Sequence, residues 1–125
     1  MISSLLLRVS VVLLLVGLIV GIAMGIKQDF TLAPAHAHLN LVGGVLMFLA
    51  GLYYRLVPQA TVGILPKTQA WLQVIGAIVF PLGIGGVMLY GPEQFEVFTI
   101  GGALIVLAAI VLFAVVVFRT SAVRT

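Results

Sequence analysis

The sequence predicts an all-α, polytopic membrane protein with four transmembrane helices. Three observations carry this. Hydrophobic residues make up 63% of the 125-residue chain and charged residues 7%, against about 25% charged in soluble domains. So few charges do not cover a soluble core. The apolar residues fall into long runs, each long enough to cross a hydrocarbon core at about 20 residues per span. Short polar breaks separate the runs, and Pro58, Pro66 and Pro92 lie in them. The length fits a single domain over residues 1–125. Cysteine is absent, which excludes disulfides, thiolate metal sites and covalent haem attachment through C-x-x-C-H. The net charge of +3 comes from six scattered basic residues. It reads as membrane topology and not as nucleic-acid binding.

The first helix is expected over about 5–26, broken only by Arg8 and Ser10 near its start. A signal peptide is the competing reading, but the apolar region is too long and no A-x-A site follows Met24. The loop KQDFTLA carries Lys27 and Asp29. Pro34 then suits the first turn of a second helix, where its missing N–H is harmless. That helix is expected over 34–57, ending before Pro58. Small residues Gly43, Gly44, Ala50 and Gly51 allow neighbouring helices to approach it. Tyr53, Tyr54 and Arg55 are placed as interface anchors. The third helix is expected over 68–90, with Trp71 at its interface and a kink at Pro81. Gly91 and Pro92 make a tight turn, and the fourth helix follows over 94–118.

In an up-down arrangement Arg8, Arg55, Lys67, Arg119 and Arg124 share one side. Lys27, Asp29, Glu93 and Glu96 share the other. Basic loops stay in the cytoplasm, so both termini are expected there. The two histidines, His36 and His38, then lie near the outer face, about one turn below the interface.

Ionisable residues inside a bilayer are a functional hypothesis by default. The stretch PAHAHLNLVGGVLMFLAGLYYRLVP, Pro34 to Pro58, contains both histidines and no charge between His36 and Tyr53. Each helical residue turns the chain by about 100°, so His36 and His38 diverge by roughly 200°. They point to nearly opposite sides and do not share one ion. Capping of a nearby carbonyl accounts for one histidine but not for two on different faces. A copper or zinc site needs three or four ligands, and Asp29, Glu93 and Glu96 sit at the outer surface. Haem takes one axial imidazole on each face and suits an apolar bundle. Without cysteine it is non-covalent, hence haem b. His38 of one copy would face His36 of its neighbour. Closing this contact around a three-fold axis leaves no ligand idle. The expected assembly is therefore a homotrimer, with a two-fold dimer as the alternative. Asn40 is the candidate partner for an imidazole N–H. Gly43 and Gly44 are candidates for close approach of porphyrin or of another helix.

The stretch AHAHLNLVGGVLMFLAGLYYRLVP, Ala35 to Pro58, resembles the tenth transmembrane helix of the haem-copper oxidase catalytic subunit. That helix has an A-H-F-H-Y start, small residues, an aromatic pair and a closing proline. The chain is also similar to short oxidase-subunit-like membrane proteins with an AHAHLNL-type motif. The resemblance implies that this chain matches one four-helix arc of the family's catalytic subunit. The expected location is a bacterial inner membrane. It implies that His36 corresponds to the high-spin haem ligand and His38 to the low-spin ligand. The family's copper-site histidines and tyrosine have no counterpart here, so no O₂-reducing enzyme is expected. The loop GPEQFE is acidic where the family has paired arginines. Lys27 and Gln28 are the remaining candidates to meet a haem propionate. The expected function is electron transfer with an unknown redox partner. A haem-based gas or redox sensor, a haem-handling protein and a cofactor-free accessory subunit are the alternatives.

Overall fold

The computed structural model describes residues 1–122, and Arg124 of the basic tail lies outside the described residues. Within them the chain is helical with no strand. Helix α1 is Ile2–Lys27, α2 is Ala33–Leu56, α3 is Ile64–Tyr90 and α4 is Pro92–Ala122. All four are long and apolar enough to cross a membrane. The spans match the expected ones but extend further at several ends. Helix α3 starts at Ile64, with Pro66 in its first turn where a proline costs no hydrogen bond. It runs on through Pro81 as one helix.

The breaks follow from local chemistry. Gln28 ends α1 in the left-handed conformation, φ 52°, and its Nε2 donates to the Gly25 carbonyl at 2.6 Å. A side-chain donor thereby satisfies one of the carbonyls a helix end leaves open. Pro58 to Thr61 forms one 3₁₀ turn, and Gly63 at φ 93° leads into α3. Gly91, also at φ 93°, makes the tight connection to α4.

Helix α2 is not uniform. It begins as an α-helix over Ala33–His38, widens to a π-helix over Leu39–Leu46 and returns to α over Met47–Leu56. The π form is rare and often marks a functional site. The wide segment begins immediately after His38.

Packing follows chain order: α1 against α2, α2 against α3, and α3 against α4 most extensively. Lipid supplies no hydrophobic force between helices, so close approach at small residues replaces it. A Cβ at Gly83 would lie 2.6 Å from the Thr99 backbone nitrogen, and one at Gly102 would lie 2.6 Å from the Phe80 Cα. Between α1 and α2, Gly43 receives Leu13 and Gly44 receives Leu14. Outward faces are apolar throughout, with Ile19 65% exposed and Leu104 60% exposed. Such a surface fits an integral membrane protein.

One end of the molecule gathers the cations Arg8, Arg55, Lys67 and Arg119. Contacts across helices tie this end together. Arg55 donates to the Ser3 and Ser4 hydroxyls at 3.3 and 2.9 Å. The Tyr53 hydroxyl donates to Thr120 Oγ1 at 2.6 Å, since Thr120 itself donates to the Val116 carbonyl at 2.8 Å. Tyr54 corrects its sequence assignment as an interface anchor. It is 1% exposed and donates to Gln69 Oε1 at 3.0 Å. An aromatic pair at a helix end has two azimuths, and only one can face lipid. Trp71, 55% exposed, does lie on the outer surface.

Candidate functional site

The histidines sit on the first turns of α2, just inside Pro34. His36 lines an apolar groove of about 580 Å³ bounded by all four helices. Its walls include Val16 and Val20 of α1, Leu39 of α2, Pro81 and Gly85 of α3 and Phe95 of α4. This is within the usual range for a ligand site, about 300–1,000 Å³. His38 is not among the lining residues. Its ring instead meets Phe80 edge-on, centroids 4.9 Å apart. Two residues of separation therefore give the two imidazoles different surroundings.

His38 has a fixed tautomer. Its Nδ1 lies 2.7 Å from the Pro34 carbonyl, which only accepts, so Nδ1 carries the proton. The lone pair is then on Nε2, the arrangement typical of a metal-ligating histidine oriented by a backbone carbonyl.

His36 is set by α1 and by Asn40. Gly21 lies beneath the ring, where a Cβ would stand 2.8 Å from the His36 Cε1. Asn40 Nδ2 is 3.3 Å from the ring Nε2 and 3.5 Å from Nδ1. Asn40 Oδ1 is buried against Gly17 and has no hydrogen-bond partner. The reverse orientation of this amide aims Oδ1 at the imidazole. It would then accept a ring N–H and leave the other nitrogen's lone pair free.

The remaining candidates divide. Asn40 adjoins His36, as its spacing suggests. Gly43 and Gly44 are filled by the α1 leucines, so ordinary helix packing accounts for both. Lys27 is exposed at the end of α1, beside a small cavity it shares with Asp29 and Thr31. The Gln28 side chain is committed to capping α1. Among the described residues, no group of three or more His, Asp or Glu converges.

Sequence reasoning missed Gln69 and Gln73, which are 0% and 1% exposed within α3. Gln69 Nε2 donates to Gln73 Oε1 at 3.1 Å, and Gln73 Nε2 donates to the Val42 carbonyl at 3.4 Å. With Tyr54 they make a continuous polar chain between α2 and α3. The signal was present: two glutamines four residues apart in an apolar span occupy one helix face.

The residues present suit a porphyrin in kind. They offer an apolar groove, an imidazole in its wall and a second imidazole with an available Nε2. Comparisons with family models, curated proteins and solved structures return no match.

Proposed function

We propose that this is a membrane b-type haem protein in which His36 and His38 are the axial ligands. The observation that supports this most directly is the separation of the pair. His36 lines an apolar groove while His38, with Nε2 available, lies outside it. Two such ligands on one chain serve two different irons, so each iron draws His36 from one copy and His38 from another. A closed three-fold ring uses every histidine, and a two-fold dimer is the competing assembly. By the distribution of basic residues, the end with Arg8, Arg55, Lys67 and Arg119 faces the cytoplasm. The histidines then sit toward the outer face.

When bound, a haem with both axial positions filled supplies one-electron transfer. The chain's own residues bind and orient it. His36 and His38 donate the nitrogens, the Pro34 carbonyl fixes the His38 tautomer, and the groove's apolar walls exclude water. The resemblance to an oxidase arc supports this assignment, and the absence of further histidines argues against a copper centre beside it.

The test is the visible spectrum of protein purified from haem-replete cells. Sharp reduced-state bands that carbon monoxide leaves unchanged are expected, with one haem per chain. His36→Ala and His38→Ala are each expected to lose most bound haem. A colourless protein, or single variants that keep full haem, would refute the reading. Bands that carbon monoxide shifts would move it to a gas-binding protein.

A further inference from the structure

We propose that Gln73 is a positioning residue that sets the rotation of the histidine-bearing turn of α2. It does so by holding the π segment open at Val42. Three observations meet there. The π-helix spans Leu39–Leu46, directly below His38. The Gln73 amide, 1% exposed on the neighbouring helix, donates to the Val42 carbonyl inside that segment. Its own Oε1 is held by Gln69, which in turn accepts from Tyr54 on the lower half of α2.

A polar chain in an apolar span is costly unless every member is satisfied. A side chain that engages the helix ladder is a recognised cause of local distortion of that helix, and here the distortion is the π segment itself. A π turn holds one residue more than an α turn. If the segment reverts to α, the upper turn rotates by about 100° against the lower half. That rotation would take His36 out of the groove. The chain Tyr54–Gln69–Gln73–Val42 thus links the docked lower half of α2 to the setting of its upper turn. The consequence for haem rests on the proposed function, but the positioning itself does not.

The chain has no cysteine, so an introduced pair is its only thiol pair. A Cβ at Gly85 would lie 3.7 Å from the Ala35 Cβ, within the ~3.5–4.5 Å that a disulfide needs. Ala35→Cys with Gly85→Cys therefore reports the upper turn. Leu6→Cys with Gly51→Cys reports the lower half; its Cβ separation of 3.1 Å is a few tenths of an ångström short of the ~3.5 Å lower bound, so the two helices part slightly to close that bond. Each pair is oxidised in haem-free membranes, with and without Gln73→Met, which keeps the shape and removes the amide.

Gln73→Met is expected to reduce the upper cross-link about tenfold, because a rotation of about 100° carries Ala35 out of range. The lower cross-link is expected to persist. An unchanged upper cross-link overturns the proposal. Loss of both also counts against it, since Gln73 is then needed for the fold and not for the rotation. Haem uptake by the parent chain is measured separately and bears only on the haem assignment.

Discussion

His38 Nδ1 donates to the carbonyl of Pro34, 2.7 Å away and one turn earlier on the same helix. This bond separates two roles of one side chain. Asparagine can reproduce the Nδ1 donor through its Nδ2 but has nothing in place of Nε2. His38→Asn is therefore expected to keep thermal stability within about 1 kcal/mol of the parent. It is expected to lose as much haem as His38→Ala. Melting in detergent and the haem-to-protein ratio check both halves. Retained haem in His38→Asn would remove His38 from the ligand set.

Gly21 supports the other imidazole from α1. A methyl there would stand 2.8 Å from Cε1 and 3.3 Å from Nε2 of His36. The ring is the movable partner, so it shifts. Gly21→Ala is expected to cost about 1 kcal/mol of stability and to weaken haem binding about tenfold. Gly25→Ala, with open space around it, is the control and should leave haem titration unchanged.

With its amide oriented so that Nδ2 faces His36, Asn40 leaves Oδ1 buried against Gly17 without a partner. An unsatisfied buried acceptor costs about 1–3 kcal/mol. Asn40→Leu keeps the size and removes that cost, so the haem-free protein should become more stable by about 1 kcal/mol. Haem binding should weaken, because the His36 ring loses its polar neighbour. A variant that gains stability and binds haem equally well would show Asn40 to be without a role in the site.

Asp29 gives a pH dependence outside the membrane. The Thr31 hydroxyl, 2.6 Å from Oδ1, and then the Thr31 N–H, at 3.1 Å, hold its carboxyl below the ordinary 3.8. Desolvation opposes this, and Lys27 adds a smaller lowering. With the folded value depressed, the loop's contribution is present above pH 3.8 and lost as pH falls through the lower folded value. In Thr31→Val the Asp29 carboxyl should titrate nearer its ordinary value, as read by carbon NMR of the side chain.

How far the sequence carried the fold is visible in particular elements. Pro34, Pro58 and the Gly91–Pro92 pair mark breaks that the structure keeps. The placement of His36 and His38 just inside the second span was also legible, since it needs only chain order. The start of α3 at Ile64 was not, because Pro66 can serve a loop or a first helical turn equally well. Gly43 and Gly44 could have met another helix or a ligand, and only the position of Leu13 and Leu14 decided between them.

The number of spans, their order and the turn that carries both histidines come from hydropathy and proline placement alone, because these are properties of the chain taken one segment at a time. The tertiary structure decided which sides of those spans face inward. It buried Tyr54 while leaving Tyr53 at the edge, joined Gln69 and Gln73 to the Val42 carbonyl, and gave His36 the groove and His38 the face of Phe80. The physical reason is that these helices are apolar all round. In lipid no amphipathic stripe points to the core, so rotation about each axis is fixed only by the neighbours it packs against.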